Sequence, residues 1–175
     1  MRMDLEFDLS APTMKALVRG LYAASQFTPV HPAYLSQPAT IPSTIRMQIT
    51  HPDLAQYAEA SANGWTINVG AVAGVDGPPV RVRDLLEALH SALRAPVTQV
   101  EWSRVPSSLK LEIAEAYTRR CRAAGAEGGG PAELERQLGQ GVRRVDFLRQ
   151  KTIFAGLQRT KDNDIENFKL LVRER

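Results

Sequence analysis

Cysteine is almost missing from this chain, since Cys121 is the only one among 175 residues. A single thiol cannot form an intramolecular disulfide, and it cannot supply the several thiolates of a cysteine-based zinc site. This composition excludes a cystine-stabilised secreted scaffold, and we expect an intracellular protein of the cytoplasm or nucleus. No second ligand stands at a diagnostic spacing from any histidine, so we expect no metal site and no bound cofactor.

Long hydrophobic runs are also missing. No stretch approaches the roughly 18 apolar residues that a membrane-spanning helix needs. The opening sequence MRMDLEFDLS has no apolar run after its basic residue, which argues against a targeting segment. We therefore expect a soluble protein that does not associate with membranes.

Aromatic residues make up only 6% of the chain, and the net charge is a modest +3. The positive excess lies in residues 101–175, which hold 15 lysines and arginines against 11 acidic residues. Because arginine suits phosphate groups, the candidates for polyanion binding are Arg119, Arg122, Arg143 and Arg144. Basic residues interleaved with aromatics and a recognition helix are both missing from the pattern, so we do not expect nucleic-acid binding.

The clearest pattern is PVRVRDLLEALHSALRAP at residues 79–96. The alternation of Val80 and Val82 with arginines predicts a short strand, and the leucines that follow at helical spacing predict a helix. Asp84 suits the first turn of this helix and Arg94 its end. The rest of the fold is expected to pack around this helix.

Residues 1–43 predict a separate N-terminal segment. Alternating apolar residues from Leu5 to Leu9 predict a strand, and an apolar stripe from Met14 to Tyr22 predicts a helix. Four prolines between residues 27 and 42 then predict an extended arm. This arm is a candidate surface for homo-oligomer formation.

Residues 44–175 predict an α+β domain with two helices packed on a mostly antiparallel sheet, joined to the N-terminal strand-helix piece by the proline-rich tether. Alternating residues predict strands at 44–50 and 65–69 and a three-stranded meander at 144–148, 152–157 and 167–173. A second long helix is expected from Ser107 or Ser108 to Gly125, preceded by a short connection or strand at 97–102. We expect the glycine-rich stretch at 125–131 to be flexible.

Several short motifs follow one another in an order that is found in a known family. Among them are Trp65-x-Ile67-x-Val69, Asp84-Leu85-Leu86-Glu87-Ala88, Arg144-Val145-Asp146-Phe147-Leu148 and Thr152-x-Phe154-x-Gly156-Leu157. Through them, residues 44–173 resemble an uncharacterised domain family found in mushroom-forming fungi. The function of that family is unknown, so the resemblance implies a domain boundary and no activity.

The candidates for catalysis are His51, Asp53 and Asp146. His51 precedes a proline at a strand end, where its ring could serve as a general base; the alternative is a turn histidine bonded to the backbone. Asp146 alternates away from its apolar neighbours, which favours a salt bridge or a loop anchor over catalysis. Cys121 lies on the apolar stripe of the second long helix and is expected in the core.

Three classes of function stay open. A non-catalytic protein-interaction module with an unidentified protein partner comes first, because the clear patterns all serve a core and no catalytic constellation emerges. Binding of a polyanion or nucleic acid through the C-terminal arginines is the second class. An enzyme that uses His51 with a nearby carboxylate is the third.

Overall fold

The computed structural model describes residues 5–14, 16–19, 27–55, 65–70, 77–126, 130–162 and 164–174. The chain begins with a small antiparallel sheet of β1 (Leu5–Phe7), β2 (Ala16–Arg19) and β3 (Phe27–Pro29), in which β2 is the central strand. The predicted helix from Met14 to Tyr22 is therefore wrong at residues 16–19, and residues 20–22 lie outside the described part. Pairing on both sides satisfies the backbone of β2 and outweighs a helical spacing that Gly20 already weakens.

A second sheet of four strands forms the centre of the molecule. It contains β4 (Arg46–Thr50), β5 (Ile67–Gly70), β6 (Ile153–Arg159) and β7 (Asn167–Arg173), in the spatial order β5-β4-β7-β6. β4 pairs antiparallel with β5 and parallel with β7, and β6 pairs antiparallel with β7. Together with the helices this sheet confirms the predicted α+β class.

Six α-helices accompany the sheets in the described residues: α1 (Pro32–Leu35), α2 (Pro52–Ala55), α3 (Val82–Leu93), α4 (Gln99–Ser103), α5 (Ser107–Ala124) and α6 (Gly130–Gly139). The two long helices α3 and α5 are the two that the sequence predicts. α4 replaces the connection or strand expected at 97–102, because Thr98 and Glu101 form a capping box at its start. α6 was not predicted, and it begins inside the stretch expected to be flexible; residues 127–129 of that stretch lie outside the described part.

α3 packs its apolar face into the core. Its four leucines, Leu85, Leu86, Leu89 and Leu93, are all buried. The Asp84 carboxylate accepts a hydrogen bond from the Arg81 N–H at 2.9 Å, as expected for a first-turn acid. The strand predicted at Val80 and Val82 is reduced to a single bridge between Arg81 and Pro38 of the arm, because the helix already begins at Val82.

Residues 144–148 form a 3₁₀ helix and not the first strand of a meander. The Asp146 carboxylate accepts a hydrogen bond from the Arg143 N–H at 2.8 Å, which closes a helical turn at this point. Val145 to Leu148 are all buried, whereas a surface strand would bury alternate residues only. The meander is therefore reduced to the β6–β7 pair.

The N-terminal segment packs on the larger sheet. Phe7 and Leu9 are fully buried in the same hydrophobic core as α3 and β4. Leu9 N–H donates to the Thr152 carbonyl at 2.9 Å, next to a bridge between Asp8 and Ile153. The start of the chain thus lies against the first residue of β6.

Candidate functional site

A groove of about 340 Å³ opens beside β6, and we call it the edge groove. Its walls come from the proline-rich arm, α3 and β6, and they include Tyr34, Ile41, Val82, Leu86, Leu157 and Arg159. Leu86 is fully buried, whereas Ile41 is 94% exposed, so the groove leads from the core to the solvent. Its size and mainly apolar walls are those of a binding pocket.

The arm is fixed to its own domain by backbone hydrogen bonds. Ala39 N–H donates to the Val80 carbonyl at 2.8 Å, and Val82 N–H donates to the Gln37 carbonyl at 2.9 Å. Nη2 of Arg159 donates to the Ile41 carbonyl at 2.8 Å and so joins the arm to the end of β6. The wall of the edge groove that carries Ile41 is therefore held in place from two sides.

β6 is an edge strand. On one side it pairs with β7, and on the other side the described residues supply only the Asp8 bridge at Ile153. Beyond Ile153 no strand of the described chain covers its outer edge. Backbone groups on such an edge can pair with a further strand.

A bulge opens β6 at the edge groove. The pairing with β7 shifts between Phe154 and Gly156, and Gly156 has φ +129°, a conformation that residues with a side chain rarely adopt. A Cβ placed on Gly156 would meet no atom within 4 Å. The bulge therefore leaves a stretch of bare backbone beside an apolar cavity, which is where another chain can approach closely.

The two catalytic candidates of the strand end, His51 and Asp53, lie close together. His51 Nδ1 accepts a hydrogen bond from the Asp53 N–H at 3.2 Å, and it lies 4.0 Å from Asp53 Oδ2. Burial of the ring lowers the pKa of His51; the Asp53 carboxylate opposes this shift, and Lys151 and Arg149 reinforce it. His51 thus makes the backbone contact that is expected of a turn histidine.

Asp53 also forms an ion pair with Arg149. The Arg149 guanidinium donates to Asp53 Oδ2 and to Glu112 Oε2 of α5, each at 3.0 Å. The backbone of Arg149 has φ 58°, and Lys151 N–H donates to the Leu148 carbonyl, so the residue holds a turn position that favours glycine. The ion pairs lock this turn between α2 and α5.

Asp146, the third catalytic candidate, belongs to a buried ion pair. Arg120 donates to both of its oxygens, from Nε to Oδ1 at 2.8 Å and from Nη2 to Oδ2 at 3.0 Å. Nη1 of Arg120 donates to Gln137 Oε1 at 3.0 Å, and Nη2 also reaches the Gly141 carbonyl at 3.1 Å. This network joins α5, α6 and the 3₁₀ helix, which is the anchoring role that the sequence favours for Asp146.

The four polyanion candidates fall in different surroundings. Arg119 donates to the Arg149 carbonyl at 2.8 Å, and Arg122 is exposed on α5. Arg143 is buried beside the Asp146 network, and the guanidinium of Arg144 lies 5.2 Å from the centre of the Trp65 ring. Arg119, Arg143 and Arg144 thus each contact a different part of the fold, and Arg122 lies exposed.

Cys121 is fully buried, as expected for a core residue. Burial is the main cause that raises the pKa of its thiol, in spite of the nearby Arg120 guanidinium. A thiol that stays protonated is a poor nucleophile and a poor metal ligand. Cys121 thus contributes packing to α5.

Glu101 is a buried carboxylate in the first turn of α4. Its Oε1 accepts a hydrogen bond from Trp65 Nε1 at 2.7 Å, and its Oε2 accepts from the Thr98 N–H at 2.7 Å and from the Thr98 hydroxyl at 2.9 Å. Although burial alone would raise its pKa, these hydrogen bonds and the Arg144 charge lower it. Glu101 is therefore a charged anchor between α4 and Trp65.

Sequence reasoning missed the edge groove. Its walls come from the arm, α3, β6 and Phe168 of β7, which are far apart in the chain, and only the structure brings them together. One signal was present: Gly156 interrupts an alternating strand, and an isolated glycine within a strand often marks a bulge. Within the described ranges, no group of three histidine, cysteine, aspartate or glutamate side chains is arranged to hold a metal ion.

None of the helices in the described part of the chain has the length and apolar content that a membrane span requires.

No curated protein and no solved structure matches this chain. A family model described as "Family of unknown function (DUF6699)" matches residues 5–164, which include the N-terminal strand, the Asp146 network and all the walls of the edge groove except Phe168. The chain therefore belongs to this family of unknown function.

Proposed function

We propose that this protein is a non-catalytic interaction module that binds an extended segment of a partner protein along the outer edge of β6. The observation that carries the proposal is an open edge strand directly beside an apolar groove. Strand addition of this kind gives affinity through main-chain hydrogen bonds and specificity through pockets for alternate side chains. The partner segment places one apolar side chain in the edge groove.

The charge at the end of the groove adds a second preference. Arg159 lies in the wall of the groove, and Nη2 is the only one of its donors that bonds within the described chain, to the Ile41 carbonyl. We expect the other donors of its guanidinium to bond the residue that follows the apolar anchor of a bound strand. An acidic residue at that position complements this charge and speeds association.

The contacts of the three catalytic candidates support a non-catalytic reading. His51 uses Nδ1 to accept a backbone hydrogen bond, and Asp146 has both oxygens engaged by Arg120. The different contacts of the polyanion candidates favour a protein partner over nucleic acid.

The buried single cysteine supports an intracellular location, and the motif resemblance supports a fungal source. A homo-oligomer through the arm stays a prediction.

A peptide selection tests the proposal. A display library of random peptides is selected on the immobilised protein, and we expect enrichment of sequences with alternating β-forming residues and a shared apolar anchor followed by an acidic residue. On binding, hydrogen exchange should slow at those amides of residues 155–159 that point away from β7, because these are the N–H groups that the partner strand pairs with. Peptides that bind without protecting these amides would refute strand addition.

Ile41→Asp tests the role of the edge groove, because it places a charge on an apolar wall of the groove. Burying an isoleucine side chain contributes about 1.5–3 kcal/mol, so the variant should weaken peptide binding by about tenfold or more. Its stability should change little, because Ile41 is 94% exposed. The control is Ile165→Asp, which also changes an exposed isoleucine but lies outside the groove, and which should bind as tightly as the wild type.

A further inference from the structure

Backbone pairing holds the segment that follows Arg94 against the segment of Arg143, and the positive charge of Arg94 acts on Arg143. Arg144 N–H donates to the Ala95 carbonyl at 3.1 Å, and Val97 N–H donates to the Val142 carbonyl at 3.0 Å. A bridge between Pro96 and Arg143 completes this short ladder. The end of α3 is thus fixed against the segment that leads into the 3₁₀ helix, and we call Arg94 and Arg143 the arginine pair.

Neither member of the arginine pair has an acidic partner among the described residues. Asp146 is the nearest buried carboxylate, but its two oxygens already accept from Arg120 and from the backbone N–H of Arg143. Of the two acids of α6, Glu133 is paired with Arg136 and Glu135 is exposed. Burial and the neighbouring arginines lower the pKa values of Arg94 and Arg143, and they outweigh the opposing effects of the Glu133 carboxylate on Arg94 and of the Asp146 carboxylate on Arg143.

Arg143 is also short of acceptors. Only 6% of its surface is exposed, and its buried Nη1 has no hydrogen-bond partner in the described chain. Nη2 donates to the side-chain oxygen of Gln140. Burial, followed by the positive charges of Arg94 and Arg120, lowers the pKa of Arg143 to about 10.

Arg94 has donors left as well. Its Nη1 donates to the carbonyls of Ala11 at 3.0 Å and Pro12 at 2.9 Å, and no hydrogen bond within the described residues uses its Nε or Nη2. A buried guanidinium without a counter-ion is costly, and the cost falls when an anion supplies both charge and acceptors. The pair thus has the charge and the vacant donors of an anion site.

We propose that Arg94 and Arg143 bind one small oxyanion of phosphate type. Arginine forks match the oxygen spacing of such anions. The exposed Gln140 covers Arg143 from outside, and a movement of this side chain opens the site and frees Nη2 for the anion. Because Arg143 is buried, the site takes a small free anion and not the backbone of a nucleic acid, which needs a continuous basic face.

The test measures thermal unfolding in sodium phosphate and in sodium sulfate against sodium chloride of equal ionic strength. For the wild type we expect the midpoint temperature of unfolding to rise with phosphate concentration. Once the phosphate concentration is well above the Kd, the midpoint should rise with the logarithm of that concentration, as for any ligand that binds the folded state. Isothermal titration with phosphate should give one site per chain. An identical midpoint in phosphate and chloride would overturn the proposal.

Arg143→Gln should abolish the phosphate response. In anion-free buffer its midpoint should equal or exceed that of the wild type, because the variant removes a buried charge that has no counter-ion. The control Arg122→Gln removes an exposed arginine of α5 and should keep the full response.

Two results would count against the site. One is an Arg143→Gln protein that still responds to phosphate. The other is an Arg143→Gln protein that is less stable than the wild type in anion-free buffer, since its guanidinium would then already have a favourable partner. Arg94→Gln, which changes a half-buried residue, repeats the test and should weaken the phosphate response as well.

Discussion

The two long helices, α3 and α5, bury different kinds of side chains. α3 presents four leucines to an apolar core, and all four are buried. α5 buries Ile113, Ala116 and Cys121 on one face, but the same helix also buries the charged Arg120. The comparison shows that helices of one small protein can be held by two kinds of interior, one apolar and one ionic.

The largest effect is expected from breaking the ionic interior. Asp146→Ala leaves the Arg120 guanidinium buried without its carboxylate, and removal of one partner of a buried pair costs about 3–5 kcal/mol. The free energy of unfolding, measured with urea, should fall by this amount. If the fall is below that of an ordinary surface substitution, the pair does not hold α5 in place.

The double variant Arg120→Met with Asp146→Leu is the control for this prediction. Apolar residues of similar volume often replace a buried ion pair at little cost, so the double variant should be more stable than Asp146→Ala alone. Gln137 would limit the recovery, because its side-chain oxygen loses the Arg120 donor. A double variant as unstable as Asp146→Ala would mean that the wider network, and not the pair itself, provides the stability.

The apolar interior should respond to a single truncation. Leu89→Ala removes a fully buried side chain at the centre of α3, and such changes cost about 2–5 kcal/mol. A second apolar substitution, Leu111→Ala, changes an exposed leucine of α5 and should leave the urea midpoint nearly unchanged. An unchanged midpoint for Leu89→Ala would remove this residue from the core.

The same comparison explains how much could be predicted from the sequence. The leucines of α3 repeat at helical spacing, and the alternation of Met47 and Ile49 marks β4, so these elements follow from local periodicity. Arg120 stands between two other arginines, and nothing local shows that it points inward while its neighbours do not. Its partner Asp146 lies 26 positions later, in a segment whose short apolar run resembles a strand.

Long-range pairing also decided the N-terminal part. Ala16–Arg19 becomes a strand because β1 and β3 flank it, and no pattern within those four residues announces the pairing. The edge groove depends in the same way on residues from the arm, α3 and β6. Of the candidate site, periodicity could supply Leu86 and Leu157 as apolar residues, but it could not show that they face a common cavity.

A smaller effect is expected at Glu101, where an acid is buried at the border of the apolar interior. Glu101→Gln puts an amide N–H against the donors of Thr98 or Trp65, and an unmatched buried donor costs about 1–3 kcal/mol. Hydrogen bonds and the Arg144 charge hold the pKa of Glu101 below its ordinary 4.5, so its contribution is complete above pH 4.5. It is lost as the pH falls through the lowered pKa.

Urea unfolding of wild type and Glu101→Gln across this pH range checks the prediction. The stability difference between the two proteins should be constant near neutral pH and should shrink under acid conditions below pH 4.5. Asp164 also has a low pKa, of about 2, because backbone N–H groups of Asn167 and Glu166 donate to it. Asp164 is present in both proteins, so its titration does not contribute to the difference between them. A difference that does not change with pH would show that the Glu101 charge is unimportant.

The smallest expected effect separates strain from ion pairing at the turn that connects the two interiors. Arg149 has φ 58°, where a residue with a side chain is disfavoured by about 1–2 kcal/mol and glycine is not. Arg149→Gly relieves this strain but loses the ion pairs to Asp53 and Glu112, which at such exposure contribute about 0.2–1 kcal/mol each. Its stability should therefore stay close to that of the wild type.

Arg149→Ala is the control, because it loses the same ion pairs without relieving the strain. Its free energy of unfolding should be about 1–2 kcal/mol lower than that of Arg149→Gly. Equal urea midpoints for the two variants would show that the turn is not strained.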